Sequence, residues 1–318
     1  MNIAVIGGSG FVGTELIALL NKEHRVLNLD KRSSSHYESI TKIMDVRNAD
    51  QLNKLLNGQD LVILLAAEHR DDVSPKSLYY DVNVSGMKNV LDAMDLNGIK
   101  KVIFTSTVAL YGLNQEQAPD ENATVNPFND YGQSKYEAEQ VLHQWLDIDK
   151  SRSALVLRPT VIFGPNNRGN VYNLFRQIFS GKFLMIGSGM NQKSMSYVKN
   201  VVSFIHDKIN LNFHGFELYN YSDKPDFSMN ALVDEIYAFK CQKVPFLKMP
   251  YILGILIGYF FDFLAVILRT KLPISSVRVK KFCASSIINA DKVRSSGFVP
   301  PYSLQQAIAH TLEKEFKD

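Results

Sequence analysis

Tyr131 and Lys135 stand four residues apart in the stretch Asp130-Tyr131-Gly132-Gln133-Ser134-Lys135-Tyr136-Glu137. The apolar residues that follow, Tyr136, Ala138, Val141, Leu142 and Trp145, recur with helical spacing. Positions i and i+4 of a helix share one face, so the phenol and the ammonium are neighbours. A positive charge beside a phenol favours the phenolate. A free tyrosine, with a pKa of about 10, stays almost wholly protonated and nearly inert at neutral pH; lowered by such a neighbour it becomes a usable general acid or base. The spacing alone is weak, because tyrosine and lysine meet this way on many solvated helix surfaces. Its meaning depends on what the rest of the chain places around it.

The elements that must position this pair begin at the N-terminus. Ile3-Ala4-Val5-Ile6 reads as a short buried strand, followed by Gly7-Gly8-Ser9-Gly10-Phe11-Val12-Gly13 and then by the apolar helix pattern of Thr14 to Leu20. Strand, glycine turn and helix form the context that a phosphate-binding loop requires. Glycines let the backbone approach a pyrophosphate, and the helix N-terminus supplies N–H groups and positive potential. Gly7, Gly10, Phe11, Val12 and Gly13 are therefore candidate cofactor contacts. A second strand, Arg25 to Leu29, ends in Asp30, placed as a ribose-binding acid should be. Its charge accepts ribose hydroxyls and repels a 2′-phosphate, which favours NAD; Lys31 and Arg32, directly after it, leave NADP open.

The strand and helix rhythm continues. Lys42 to Arg47 reads as a strand ending at an adenine-side acid, Asp45, with Val46 beside it, and Ala49 to Leu56 as a helix. Asp60 to Ala67 is an apolar strand ending in Ala66 and Ala67, small residues that let a cofactor lie close. Tyr80 to Leu96 reads as a helix carrying Asn83, and Lys101 to Thr107 as another buried strand. Apolar strands alternating with helices imply a parallel sheet covered on both faces. The expected fold is α/β, a Rossmann-type doubly wound parallel sheet with a smaller, mostly helical C-terminal substrate domain. Ligands of such sheets bind at the carboxyl ends of the strands, where the glycines, Asp30, Ala66, Ala67, Ser106 and Thr107 all fall.

Composition excludes several other classes. At 318 residues the chain can bury a substantial core, and its net charge of +3, with no long basic run, gives no footprint for nucleic acid. Cys241 and Cys283 make neither a disulfide framework nor a metal-ligand spacing, and the seven histidines are scattered, so no metal is expected. The N-terminal residues read as a strand rather than a signal peptide, which fits a cytoplasmic protein.

Taken together, these stretches resemble the extended short-chain dehydrogenase/reductase family, in its nucleotide-sugar epimerase branch of the UDP-galactose 4-epimerase kind. The resemblance is carried by Gly7 to Gly13, Tyr79 to Gly86, Val102 to Gly112, Pro119-Asp120-Glu121, Tyr131 to Lys135 and Leu157 to Pro165. It runs to about residue 205, weakens, and resumes at Ser295 to Pro301. It implies that Tyr131 is the acid/base, that Lys135 holds the nicotinamide ribose and lowers the tyrosine pKa, and that Thr107 hydrogen-bonds the reacting hydroxyl. Asn83, Ser106 and Pro159 join the implied cofactor contacts, with backbone-bonding roles as the alternative for Asn83 and Ser106. The implied chemistry is removal of a proton and a hydride at C4 of a nucleotide-diphosphate sugar, UDP-linked for preference, with hydride return to the opposite face. Reduction of a 4-keto sugar by NAD(P)H is the alternative, and a 3β-hydroxysteroid-type dehydrogenase a more distant one. A non-catalytic dinucleotide sensor conflicts with the presence of Tyr131, Lys135 and Thr107. Elimination of water is disfavoured, since Val108 and Ala109 occupy the places of that branch's acidic pair.

By the same reading, residues 1–165 form the dinucleotide domain, with 192–215 returning to it, and 166–191 with 216–318 the substrate domain. Asn170 and Lys193 lie where the resemblance puts diphosphate contacts, with lysine replacing the usual arginine, and Arg278 is a second candidate. Residues 251–268 are almost wholly apolar and near the length of a membrane span. Asp262 within them opposes a span. Pro250, Pro273, Lys271, Arg278, Lys280 and Lys281 flank the stretch. A buried or homodimer-forming helix and a helix lying on a membrane surface are both consistent with this pattern.

Overall fold

A computed structural model describes every residue except 71–72, 113–116, 245–247, 269, 271, 273–274 and 318; Lys271 and Pro273 thus lie outside the described residues. Along the chain come β1 (Asn2–Ile6), α1 (Phe11–Leu20), β2 (Arg25–Asp30), β3 (Thr41–Ile43), α2 (Ala49–Leu55), β4 (Leu61–Leu64), α3 (Ser77–Tyr80), α4 (Gly86–Leu96), β5 (Lys101–Thr105), α5 (Asp130–Ile148) and β6 (Ser153–Pro159). They are followed by β7 (Val161–Phe163), α6 (Asn170–Phe179), β8 (Met185–Ile186), β9 (Gln192–Tyr197), α7 (Val198–Asn210), β10 (Phe216–Tyr221), β11 (Asp223–Ser228) and α8 (Met229–Phe239). The last are β12 (Lys248–Met249), α9 (Tyr251–Leu268), α10 (Ser276–Cys283), α11 (Asp291–Ser295) and α12 (Leu304–Phe316).

The chain forms two compact units. The first holds residues 1–162, 196–222 and 288–301; the second holds 163–195, 223–287 and 302–318. In the first, seven strands lie in the order β10-β6-β5-β4-β1-β2-β3, all paired in parallel. This is the expected Rossmann-type sheet. Ala4, Ile6, Val62, Leu64, Val102, Phe104, Ala154 and Val156 share one core with Val90, Met94, Leu142 and Trp145 from α4 and α5. Burial on both faces explains why these strands read as unbroken apolar runs rather than alternating ones.

Two sequence expectations need correction here. The division placed 216–318 wholly in the second unit, yet β10 pairs with β6 at the sheet edge and residues 288–301 also belong to the first. The third strand was read as Lys42 to Arg47 but ends at Ile43. Asp45 stops it: its Oδ1 accepts from Arg47 N at 3.0 Å and from Arg47 Nε at 3.0 Å, which closes a turn.

The helix expected over Tyr80 to Leu96 begins earlier, at Ser77, and carries a π-helical turn over Asp81–Ser85 between α3 and α4. Such single turns recur at functional sites, and this one contains Asn83. In the second unit, β9 pairs antiparallel with β11, β8 pairs parallel with β12, and α8 packs with α6 and α12. There α9 is largely unburied, with 11% of its residues buried. The buried reading of residues 251–268 is therefore overturned. Apolar composition alone did not distinguish a core helix from an uncovered one.

Candidate active site

The chain reverses direction across the sheet between β1 and β4, the place where open parallel sheets bind ligands. The glycine turn after β1 occupies it. Gly7 has φ +91°, and a Cβ there would lie 2.5 Å from Ala66 N, so only glycine permits this close passage beside the end of β4. A Cβ on Gly13 would lie 2.4 Å from Gly8 Cα, so that glycine lets α1 pack onto the turn. A Cβ on Gly10 would meet little more than Gly7 O, at 3.3 Å. The turn is thus open at Gly10. α1 has no side-chain cap, in contrast to α2, capped by Asn48, and α5, capped by Asn129. Its first N–H groups, on Phe11, Val12 and Gly13, suit a pyrophosphate. These residues fit a dinucleotide.

Asp30 ends β2 and is buried; its Oδ2 accepts from Ser9 N and its Oδ1 from Arg32 N, each at 3.0 Å. Both oxygens keep acceptor capacity for ribose hydroxyls. Replacing Asp30 with Ala is expected to weaken NAD roughly tenfold or more, as loss of a charged hydrogen bond does, and NADP far less. Fluorescence titration with the two dinucleotides measures this, and equal losses would place the adenosine ribose elsewhere. Asp45 is held below the usual carboxylate range, first by its hydrogen bond from Arg47. Val46 packs against α4, where a Cβ on Gly86 would lie 2.8 Å from Val46 Cγ2. Ala66 lies two residues beyond the end of β4, with Ala66 N donating to Ile6 O at 2.9 Å.

At the end of β5 the Thr107 hydroxyl caps the next turn, accepting from Ala109 N at 3.1 Å, and shares a hydrogen bond with the Tyr131 hydroxyl. Tyr131 lies in the first turn of α5, whose cap Asn129 accepts from Gly132 N at 2.8 Å. Burial pushes the Tyr131 phenol up to about 12, partly offset by the bond from Thr107. Lys135 is buried; its Nζ donates to Thr105 O at 2.6 Å and sits 4.0 Å from the Phe104 ring centre. Burial brings its ammonium down to about 7, against the opposing pull of Glu139. The sequence expectation that Lys135 lowers the tyrosine pKa therefore needs correction. Desolvation dominates both groups, and it is Thr107 that eases the phenol.

Two more expectations resolve in the same place. Ser106 Oγ is buried without a partner among the described residues, as a cofactor-contacting hydroxyl would be. Asn83 is different. Its Oδ1 accepts from Glu68 N at 2.8 Å, and its Nδ2 donates to Glu68 O at 3.0 Å and Ser134 Oγ at 2.9 Å. The amide ties the segment after β4 to α5, so Asn83 is a positioning residue rather than the cofactor contact expected. Pro159 ends β6.

Beneath Lys135 runs a network to which the sequence gave no role. Arg158 Nε donates to Glu139 Oε1 at 3.0 Å, Arg158 Nη1 to the Tyr111 hydroxyl at 2.7 Å, and Tyr111 to Asn220 Oδ1 at 2.8 Å. All four side chains are buried. Glu139 lies one turn beyond Lys135, and that spacing was the available signal.

In the second unit, Asn170 is the exposed first residue of α6. Lys193 corrects its expectation, because its Nζ donates to the carbonyls of Lys281 and Ala284 at the end of α10 and burial lowers its pKa. It closes a helix end. Arg278 is an exposed residue of α10. In the first unit Glu23, His24 and His206 bring ligand atoms within 4.8 Å of one another. The sequence reading found no such cluster, because the two histidines are far apart in the chain.

Residues 3–214 match the model of the NAD dependent epimerase/dehydratase family. The chain is 54% identical over 316 residues to N-acetyl-alpha-D-glucosaminyl-diphospho-ditrans,octacis-undecaprenol 4-epimerase of Escherichia coli O157:H7, covering 99% of this chain and 95% of that one. UDP-glucose 4-epimerase of Lactobacillus helveticus is 28% identical over 64% of this chain and 68% of its own. Among solved structures, UDP-glucose 4-epimerase of Thermotoga maritima, determined with UDP-glucose, superposes with a TM-score of 0.77 at 21% identity, covering 99% and 98% of the two chains. With a family model matched over residues 3–214 and a relative 54% identical along nearly the whole of both chains, the chain belongs to the NAD-dependent epimerase/dehydratase family.

Proposed function

We propose that this protein inverts C4 of a sugar held through a diphosphate, and that the diphosphate carrier is a polyprenyl lipid rather than a nucleoside. The observation that carries the chemistry is the Tyr131–Thr107 hydroxyl pair at the ends of α5 and β5. Support for the carrier is the 54% identity to a relative named for an undecaprenyl-linked sugar, extending over the second unit as well as the first. NAD, held by the glycine turn and Asp30, would supply the acceptor and donor of the C4 hydride.

The chain's own residues manage the proton and the geometry. Thr107 holds the C4 hydroxyl in a hydrogen bond to Tyr131. Tyr131 takes that proton as the carbon is oxidised to a ketone and gives it back as the ketone is reduced on its other face. Lys135, fixed by Thr105 O at 2.6 Å, orients the nicotinamide ribose. Asp30 and the first turn of α1 hold the adenosine ribose and the pyrophosphate. The apolar residues 251–268 bring the protein to the membrane where a lipid-linked sugar resides.

The experiment supplies undecaprenyl-diphospho-N-acetylglucosamine in detergent, and separately UDP-N-acetylglucosamine, to NAD-loaded protein, and follows C4 inversion by NMR. Inversion of the lipid-linked sugar at least tenfold faster, without accumulation of NADH, is the expected result. Equal turnover of the nucleotide sugar would overturn the lipid carrier. Net change in NADH would replace epimerisation with dehydrogenation or reduction.

A further inference from the structure

α9 divides sharply into two faces. Gly254, Gly258 and Asp262, spaced four apart, form the stripe held by the second unit. A Cβ on Gly254 would lie 2.5 Å from Ile186 Cγ2, and one on Gly258 would lie 2.7 Å from Ser276 Cα, so the helix backbone sits directly on β8 and on the start of α10. Asp262 Oδ2 accepts from Ser276 N at 3.1 Å. The acid that opposed a membrane reading is therefore turned inward, onto a backbone N–H. The other face carries Ile252, Leu256, Tyr259, Phe260, Phe263 and Ile267, each more than half exposed. Apolar surface this continuous on a folded chain marks a docking surface.

Charge identifies what it docks on. Residues 240–290 contain eight Lys and Arg and a single acid, Asp262, a net +7 within a chain of +3, which leaves −4 for everything else. The cations flank the apolar helix: Lys240, Lys243 and Lys248 before it, Arg269, Lys271, Arg278, Lys280 and Lys281 after it. Those of α10 are exposed, and Lys280 Nζ donates to the Tyr259 hydroxyl at 3.0 Å, where the charged and apolar surfaces meet. A surface meant for a second copy of the chain would bring this excess of like charge against itself. An anionic lipid surface matches both parts, apolar side chains for the acyl boundary and ammonium and guanidinium groups for phosphates.

We infer that α9 and α10 form a monotopic membrane dock, in which α9 lies in the plane of an anionic lipid surface with Leu256, Phe260 and Phe263 inserted, and does not cross the bilayer. At eighteen residues α9 is about 27 Å long, enough to tempt a spanning reading. Crossing, however, would strip Asp262 from Ser276 or drag α10, with Arg278, Lys280 and Lys281, into hydrocarbon. This inference rests on the lipid-linked reading for its purpose but not for its test.

The full-length protein is sedimented with vesicles of phosphatidylethanolamine and phosphatidylglycerol, and with vesicles of phosphatidylcholine alone, without any sugar substrate. Binding at least tenfold tighter to the anionic vesicles, weakened by raised salt, is expected. Phe260→Glu with Phe263→Glu should reduce it at least tenfold, and Lys280→Glu severalfold, with the unfolding midpoint and turnover of detergent-dispersed substrate unchanged. Equal binding by the Phe260→Glu, Phe263→Glu variant would overturn the dock, as would its abolishing a dimer in a protein that binds no vesicles. For orientation, nitroxide labels are placed at Ile252→Cys, Phe260→Cys and Ile267→Cys after replacing Cys241 and Cys283 by Ser. Similar depths support the in-plane helix; a label at 260 far deeper than the other two would make it a span. Failure of the unsubstituted protein to bind either vesicle, alongside intact turnover of the dispersed substrate, would sink the dock and leave the epimerase reading standing.

Discussion

Replacing Tyr131 with Phe is expected to lower turnover roughly a thousandfold, the scale of a lost general acid–base group, while NAD affinity changes little. The phenol is the group bonded to Thr107, and neither the glycine turn nor Asp30 depends on it. Its ring remains in the Phe variant, so the first turn of α5 keeps its packing and its Asn129 cap. Turnover of the dispersed substrate and titration of NAD, measured on one preparation, separate the two effects. Activity within tenfold of the parent would remove Tyr131 from the chemistry, and parallel loss of NAD affinity would make it a binding group.

The second large effect concerns stability. Replacing Glu139 with Ala should destabilise the protein by about 3–5 kcal/mol, because it leaves the Arg158 guanidinium buried and unpaired. Arg158 and Glu139 are both nearly inaccessible, and the pair is bidentate, through Nε and Nη2. Burial opposes the Arg158 charge and Glu139 compensates, so its pKa ends above the ordinary value. The double variant Glu139→Leu, Arg158→Met removes both charges and should recover most of the loss. Urea unfolding of the two variants gives the comparison. A cost below about 1 kcal/mol for the single substitution would mean that water reaches the guanidinium.

What could be read from the sequence was the chemistry written locally. Gly7, Gly10 and Gly13, Asp30 at its strand end, and the Tyr131–Lys135 spacing each announce themselves within a few residues. So does the parallel sheet, through apolar runs such as Leu61–Leu64. What could not be read depends on partners remote in the chain. Asn83 looked like a cofactor contact until Glu68 and Ser134 were found on its amide. Lys135 looked like an activating charge, but the Thr105 carbonyl and the Phe104 ring enclose it, and desolvation has no sequence signature. Lys193 carried the right charge for a diphosphate and turned out to close α10. For α9, composition was legible and exposure was not, since a Gly-x-x-x-Gly-x-x-x-Asp stripe serves a buried helix and a docked one equally well.

The interleaving of the chain also bears on how the protein is made. The first unit receives its edge strand β10 only after residues 163–195 of the second have been synthesised, and residues 288–301 only after 223–287 have followed. On the ribosome, then, β6 waits with one edge unpaired until Phe216–Tyr221 emerges, a template for mispairing in the interval. No single stop codon or protease cut separates one whole unit from the other, and a nascent chain ending before residue 301 lacks parts of both.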